Sequence, residues 1–350
     1  MADMLEKMEV VALAAIALVA GTDASLAAAP AATPVATTPS GQSLLIERFV
    51  RADGAISVTA HGNFIDPYFA NKALITALEA GLEITDITRN WLAWLLPRQR
   101  DDGGFDRFCA ADAKWINCRR ADADDSTMAT FLQLNVLFRR VIRNRSDERA
   151  RTSLDLLNSQ AMAVAERKAG TLLQQLRTPR GSYRVFANEP VEYLMDNAEV
   201  YSSLVAVNQP AKAEELKQVI RKFFFAGAQW VPSNQPYEKF EFYPSALAPT
   251  YRWHTGLATR DEIETEFNVW SKRWGAAWLA QTHDEYAWGL VAWGARGVKD
   301  QHWLRCWRHL HAAHDRSRGW TVLDEAVDAG LAHLGIQAVA QSCDSLRSRK

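Results

Sequence analysis

Apolar residues recur every three to four positions along most of this chain, and that spacing places them on one face of an α-helix. Residues 67–80, PYFANKALITALEA, show the pattern clearly, and Asp66 stands before them as a helix cap. Hardly any stretch alternates in the manner of a β-strand. The pattern predicts about twelve helices, which cover residues 43–51, 67–80, 85–96, 126–143, 153–176, 190–207, 211–226, 244–255, 262–273, 286–295, 301–314 and 323–334.

Short and long connections alternate between these helices, as expected for helical hairpins. Hairpins can stack into an open solenoid or close into a toroid. A solenoid is marked by a sequence repeat of fixed period, and the chain shows no such repeat. The sequence therefore predicts an all-α fold, an (α/α)6 toroid of about six helical hairpins, as a single domain over residues 43–350.

The N-terminal residues differ from the rest in composition. An apolar run of 11 residues, Val10 to Ala20, is too short to span a bilayer and precedes small residues at 24–29. We predict a signal peptide over residues 1–27, although acidic residues precede the run; a buried N-terminal helix is the alternative. Residues 28–42 are rich in Ala, Pro and Thr and are predicted to be a linker. The protein is then expected to be periplasmic or secreted, without a stable membrane anchor.

Composition and motifs narrow the classes of function. The formal net charge is −1 and no basic stripe occurs, so nucleic-acid binding is not expected. Ten of the 13 tryptophans lie at or beyond Trp230, and most are expected in the core. Cys109 and Cys118 enclose a short polar stretch and are a candidate disulfide, with two free thiols as the alternative. No recognised metal-binding or phosphate-binding motif occurs, so we predict neither a metal nor a cofactor.

Aspartates stand at the start of several predicted helices, namely Asp66, the pair Asp124–Asp125, Asp196 and Asp284. Any one of them alone is explained as a helix cap, which contributes about 1 kcal/mol. In a toroid, however, the inner helices all start at the same end, so these carboxylates are expected to converge on one mouth. Clustered carboxylates raise one another's pKa, so one can be protonated while another is ionised. Glycoside hydrolysis uses such a pair, an acid for the leaving oxygen and a base or nucleophile opposite it.

Two segments resemble the six-hairpin (α/α)6 glycosidases, and the resemblance extends over residues 43–335. Within that group the chain is most similar to a distant relative of the glycoside hydrolase family eight endoglucanases. FIDPYFANKALITAL resembles the segment with the family's general-acid glutamate, and DADDSTMATFLQL resembles the acidic motif at a later inner helix. The resemblance implies inverting hydrolysis, with Asp66 as general acid and Asp125, with Asp124, holding the sugar or activating water. Asp196 and the asparagine that follows it are also similar to a pair in the unsaturated glucuronyl hydrolases.

The predicted function is therefore cleavage of a polysaccharide or oligosaccharide by carboxylate acid/base chemistry. The predicted catalytic residues are Asp66, Asp125 and Asp124. Further acids are expected to complete an acidic floor, and aromatic rings to stack on sugar rings. The predicted substrate-binding residues are Asp102, Asp196, Tyr68, Trp115, Tyr243, Trp253 and Asp284.

Two other functions fit parts of the same sequence. Asp66 is shorter than the family's glutamate by one methylene, which also fits a non-catalytic polysaccharide-binding accessory of an exopolysaccharide system. The segments ADADDSTMA and QRDDGGF are similar to motifs of class II terpene cyclases, α-toroids in which the middle aspartate of DxDD protonates an alkene. Those enzymes usually carry two such domains and are not normally exported, whereas this chain has room for one.

Overall fold

The computed structural model describes residues 45–112, 114–236, 240–312, 319–340 and 343. The predicted signal peptide and linker, residues 1–42, lie outside this part of the chain. Across the described ranges, no helix is both long enough and apolar enough to cross a membrane.

Twelve α-helices make up most of the described part of the chain, as the apolar periodicity predicts. They are α1 (Pro67–Glu79), α2 (Thr85–Leu95), α3 (Asp124–Ile142), α4 (Glu148–Leu157), α5 (Gln160–Leu176), α6 (Leu194–Ala206), α7 (Pro210–Phe224), α8 (Tyr251–Thr255), α9 (Arg260–Ala280), α10 (Gly289–Gly294), α11 (His302–Ala312) and α12 (Val322–His333). Short 3-10 turns lie at Leu45–Phe49, Leu96–Arg98 and Ala248–Thr250, and a π-turn at Phe242–Ala246.

Six of these helices form a closed inner ring. Helix α1 packs against α3, α3 against α6, α6 against α8, α8 against α10, α10 against α12, and α12 against α1. The helices that alternate with them in the sequence pack outside this ring: α2 on α4, α5 on α3, α7 on α6, and α11 on α9. The predicted all-α, toroid-like fold is therefore confirmed.

Burial follows the division into inner and outer helices, because an inner helix has neighbours on all sides. Helix α1 buries ten of its 13 residues and α10 all six, whereas α7 buries five of 15. The inner helices also approach one another closely. A Cβ atom at Gly294 in α10 would lie 2.8 Å from the Cβ of Trp253 in α8, so glycine is required at this contact.

Local capping decides where one outer helix ends and the next begins. The periodicity predicts a single helix over residues 153–176, but the structure has α4 and α5 there. The hydroxyl of Ser159 accepts a hydrogen bond from the backbone N–H of Met162 at 3.2 Å, which starts α5. The apolar spacing continues across this break, so the spacing alone does not reveal it.

Five short strands occur in the described residues where the sequence predicts hardly any. Strands β1 (Phe64–Ile65), β2 (Arg107–Ala111) and β3 (Lys114–Arg119) form an antiparallel sheet in that order, and β4 (Phe225–Ala226) pairs with β5 (Gln229–Trp230). The hairpin of β2 and β3 lies in the long segment between α2 and α3. Cys109 and Cys118 form a disulfide across it, as predicted. The sequence did not predict the second disulfide, which joins Cys306 in α11 to Cys343.

Candidate active site

A cavity of about 330 Å³ lies at the end of the inner ring where the ring helices begin. Residues at the starts of α1, α3, α6, α8 and α10 line it, together with residues of the segment that precedes α6. The helix starts thus meet at one place, which is the arrangement expected of a toroid. Four carboxylates line the cavity: Asp66, Asp122, Glu189 and Asp196.

Asp196 lies in the first turn of α6 and is half-buried. Burial and the nearby charge of Asp122 raise the pKa of Asp196 to about 7, although the hydroxyl of Ser126 donates a hydrogen bond to it. Asp196 can therefore hold a proton near neutral pH at a position that faces the cavity.

Asp125, in the first turn of α3, is the electrostatic neighbour of Asp196 and is fully buried. Its Oδ1 accepts from the backbone N–H of Ser126 at 2.9 Å, whereas its Oδ2 has no hydrogen-bond partner among the described residues. Burial, with the charge of Asp196 adding to it, raises the pKa of Asp125 well above its usual value. Burial therefore favours the protonated form of Asp125, and the neighbouring carboxyl of Asp196 adds to that preference.

Asp66 caps α1 and is held by an ion pair. Its Oδ1 accepts from the backbone N–H of Tyr68 at 3.0 Å, and its Oδ2 accepts from Nε of Arg107 at 2.6 Å. Burial raises the pKa of Asp66, and Arg107 opposes that effect. The same guanidinium contacts Asp122 at 3.1 Å, so one arginine from strand β2 joins two of the cavity carboxylates. Both oxygens of Asp66 are thus occupied, whereas the side chain of Asp122 is 78% exposed.

Two tyrosines form the floor of the cavity, Tyr68 from α1 and Tyr251 from α8. The hydroxyl of Tyr68 donates to Oε1 of Glu199 at 3.3 Å. Glu199 is fully buried on α6, where Nζ of Lys72 binds it at 2.7 Å and Nε2 of His254 at 3.1 Å. The floor therefore rests on a buried cluster of charged and polar groups.

The charges in this buried cluster are fixed. Burial alone would raise the pKa of Glu199, but Lys72 and His254 outweigh burial and lower the pKa to about 2. Burial and the charge of Lys72 lower the pKa of His254 to about 4. At neutral pH His254 is thus uncharged and donates through Nε2, while Glu199 is an anion with Lys72 as its counter-ion.

An aromatic pair forms part of the cavity wall. The rings of Tyr243 and Trp288 stack with their centroids 5.5 Å apart and 20° between their planes. Tyr286 meets Trp288 edge to face at 6.0 Å. Trp288 has a φ of 49°, a left-handed conformation that bulky residues rarely adopt and that is often found at functional sites. Flat aromatic faces at a cavity suit the apolar face of a sugar ring.

Four of the residues that the sequence predicts for the site line the cavity, namely Asp66, Tyr68, Asp196 and Tyr243. Asp125 lies beside Asp196. Asp124 and Asp102 do not line the cavity, because Arg100 binds both, at 2.9 Å and 3.0 Å.

Three other predicted residues also lie elsewhere. Trp115 is on strand β3 and packs edge to face on a tryptophan of α2 at 6.4 Å. Trp253 is buried, and its indole N–H donates to a glutamate of α9 at 2.7 Å. Asp284 lies in the segment before α10, where it accepts from the backbone N–H of Tyr286 at 2.9 Å.

The sequence analysis did not identify several residues of the cavity and its floor: Lys72, Arg107, Asp122, Glu199, Tyr251, His254 and Trp288. The spacing of polar residues in the sequence indicates some of these residues. Tyr68 and Lys72 are four residues apart on α1, and Asp196 and Glu199 are three apart on α6, so each pair shares a helix face. A lysine on α1 and a glutamate on α6, each among mainly uncharged residues, are the pattern of a buried ion pair. Within the described residues, no group of three or more His, Cys, Asp or Glu side chains is arranged to hold a metal ion.

Comparisons with known proteins bear on the fold. No protein-family model and no curated protein matches this chain. Among solved structures the chain is similar to a novel alpha-amylase from Clostridium perfringens, with a TM-score of 0.54 and 11% sequence identity. The similarity covers 82% of this chain and 94% of that chain. The chain thus shares its helical fold with that protein, while its similarity to family eight remains a prediction from the sequence.

Proposed function

We propose that this chain is a glycoside hydrolase that cleaves an O-glycosidic bond in a polysaccharide or oligosaccharide. The observation that carries this proposal is Asp196, a carboxyl with a pKa of about 7 in a cavity lined by carboxylates and a stacked aromatic pair. A catalytic acid works best when its pKa is near the working pH. The fold similarity to an alpha-amylase supports the same class of reaction.

Asp196 is the proposed proton donor. Its proton passes to the glycosidic oxygen as the bond between that oxygen and the anomeric carbon breaks. Asp122 is the proposed base, because Arg107 is its ion-pair partner and its side chain is exposed to water. A water oxygen bonds to the anomeric carbon from the opposite face and loses its proton to Asp122, which inverts the configuration. Tyr243 and Trp288 hold the sugar ring by stacking.

Asp66 takes a positioning role in this proposal, in place of the acid role that the family resemblance implies. A proton on Asp66 would displace its bond from Arg107 or from the backbone N–H of Tyr68. Asp66 instead holds the guanidinium that binds Asp122. The two roles proposed for Asp66 predict different rates. If Asp66 is the general acid, Asp66→Asn should lower the rate of cleavage as much as Asp196→Asn does. If Asp66 only positions Arg107, the loss should be smaller.

The terpene-cyclase alternative depends on Asp124, the middle aspartate of its DxDD-like motif. Burial raises the pKa of Asp124 in spite of Arg100. Both of its oxygens are nonetheless engaged, by Arg100 at 2.9 and 3.0 Å and by Arg120 at 3.4 Å. A carboxyl clamped by two guanidinium groups outside the cavity is a poor donor for an alkene, so the geometry favours the hydrolase.

The proposed place of action is the periplasm or the extracellular space. Two disulfides, Cys109–Cys118 and Cys306–Cys343, support an oxidising compartment. N-terminal sequencing of protein recovered from its native cell tests this proposal, and a first residue near Ala28 is expected. Recovery of the intact N-terminus in a reduced form of the protein would contradict it.

The hydrolase proposal is tested with the full chain and with maltohexaose, cellohexaose and laminarihexaose as substrates. We expect cleavage of at least one, and proton NMR of the fresh product should show inverted anomeric configuration. Asp196→Asn should lower the rate of cleavage by about 10²- to 10⁴-fold. Asp101→Asn is the matched control, since that carboxylate is exposed and does not line the cavity. Binding of a glycan without cleavage would instead identify the non-catalytic accessory.

A further inference from the structure

The backbone of Trp288, in the cavity wall, has an uncommon conformation. Its φ and ψ are 49° and 52°, which place it in the left-handed region directly before α10. That region is unfavourable for a bulky residue, which keeps such a conformation only where the surrounding structure fixes it. The contacts of the two residues that flank Trp288 identify the groups that fix it.

On one side, two tryptophans hold the peptide group before Trp288. The backbone carbonyl oxygen of Ala287 accepts from the indole N–H of Trp278 at 2.9 Å and from that of Trp307 at 2.8 Å. Both indoles are buried, and their rings stack with centroids 6.3 Å apart and 12° between their planes. Trp278 is on α9 and Trp307 on α11, so two helices outside the inner ring fix this carbonyl.

On the other side, a buried carboxylate holds the peptide group after Trp288. Oδ1 of Asp324 accepts from the backbone N–H of Gly289 at 2.7 Å. Its Oδ2 accepts from the backbone N–H and the hydroxyl of Thr321, at 2.9 and 2.7 Å, as part of the capping box of α12. The cap uses Oδ2 alone, so the bond from Oδ1 to Gly289 is an additional contact, which joins the start of α12 to the start of α10.

We infer that Asp324 is a positioning residue, which keeps the indole of Trp288 in the orientation that forms the cavity wall. The indole bonds to Ala287 hold the same segment from the opposite side. This inference rests on the proposed function, in which Trp288 and Tyr243 stack on a sugar ring. The stacking face is then formed before a ligand arrives, so binding does not have to order it.

The first test measures the conformation of Trp288 without a glycan. In the full chain labelled with 5-fluorotryptophan, the fluorine NMR signal that is lost in Trp288→Phe belongs to this residue. Asp324→Ala should shift and broaden the signal, because the N–H of Gly289 loses its acceptor and Trp288 can leave the left-handed region. Glu262→Ala is the matched control, since it removes the acid at the same position of the capping box of α9, away from the cavity lining. An unchanged Trp288 signal in folded Asp324→Ala overturns the inference.

The second test measures kinetics on the hexasaccharide that the wild type cleaves. Asp324→Ala should raise KM by about tenfold with little change in kcat, because only a fraction of the free protein then holds Trp288 in the binding conformation. Trp288→Ala should also raise KM, and Asp324→Ala/Trp288→Ala should raise it no further, because Asp324 acts through Trp288. A purely structural Asp324 would lower the Tm of the variant and leave KM unchanged. That result, or additive effects in the double variant, would contradict the positioning role.

A second variant tests the same hydrogen bond if Asp324→Ala does not fold. A Cβ atom at Gly289 would lie 2.9 Å from Oδ1 of Asp324, so Gly289→Ala should displace the carboxylate and change the Trp288 signal in the same way. Gly170→Ala in α5 is its control, because the added Cβ would meet no neighbouring atom within 4 Å. The two proposals fail differently. An unchanged signal with cleavage intact overturns only the role of Asp324, whereas a changed signal in a protein that cleaves none of the hexasaccharides overturns only the hydrolase.

Discussion

Asp196 and Glu199 lie three residues apart on α6, Asp196 half-buried at the cavity and Glu199 fully buried, yet their pKa values differ widely. The pKa of Asp196 is raised to about 7, and that of Glu199 is lowered to about 2. Burial acts in the same direction on both carboxyls. The difference comes from the neighbours, since Asp122 adds negative charge near Asp196, whereas Lys72 binds Glu199 at 2.7 Å.

The comparison teaches that the charges next to a buried carboxyl decide whether its pKa rises towards neutrality or falls below its usual value. Asp196, at the cavity, changes its charge within the pH range in which proteins work. Glu199, one helical turn deeper, does not. One helix thus supplies a group that exchanges a proton and a group that holds the floor in place.

The largest expected effect is that of Asp196→Asn on catalysis. Asparagine keeps the shape of the side chain but has no proton to give, so kcat/KM should fall by about 10²- to 10⁴-fold. Asp122→Asn should be comparably damaging, and Asp66→Asn should cost only about tenfold through misplacement of Arg107. Initial rates on the hexasaccharide that the wild type cleaves measure these losses. Equal losses at positions 66 and 196 would restore Asp66 as the acid.

The next largest effect is on the free energy of unfolding and concerns Glu199. Lys72→Met leaves Glu199 as a buried charge without its cation, and such a loss costs about 3–5 kcal/mol. The double variant Lys72→Met/Glu199→Gln should recover most of that stability, because no charge is left unpaired. Urea denaturation measures both free energies of unfolding. A double variant as unstable as the single one would show that the pair is not the cause.

The two carboxyls should also have opposite effects on the pH dependence of stability. Because the pKa of Asp196 is higher in the folded than in the unfolded chain, Asp196 lowers stability as pH rises from about 4 to about 7. Asp196→Asn should therefore raise the Tm by a few degrees at about pH 8 and leave it unchanged at about pH 4. The stabilisation from Glu199 is present above about pH 4.3 and is lost as pH falls towards 2. Differential scanning calorimetry of the wild type and of Asp196→Asn at both pH values measures the change in Tm. An equal change at both pH values would contradict the raised pKa of Asp196.

The smallest effect is expected at Asp102, which the sequence alone places in the site. Its side chain is 55% exposed and pairs with Arg100, and exposed ion pairs contribute about 0–1 kcal/mol. Asp102→Asn should change kcat/KM less than twofold, within the usual range of surface substitutions. A large loss of activity in a fully folded variant would return Asp102 to the site.

The sequence predicted most of the helices and some of the residues that line the cavity. Residues 67–80 were predicted as a helix, and α1 spans Pro67–Glu79 with Asp66 as its cap. The aspartates at helix starts were predicted to meet at one end of the ring, and Asp66 and Asp196 both line the cavity there. Asp124 was indistinguishable from them in pattern, and only its contact with Arg100 separates it.

The sequence by itself determined most of the helices and the end at which several of the acids gather, because the apolar spacing of a helix and the residues at its start are local features of the chain. The tertiary structure alone decided what each acid does. Arg107 reaches Asp66 across 41 residues of sequence, and Glu199 receives Lys72 across 127 and His254 across 55. The charge state of a buried carboxyl depends on burial and on the cation that reaches it. Both depend on packing between segments that are distant in the sequence, so the local spacing of residues does not predict them.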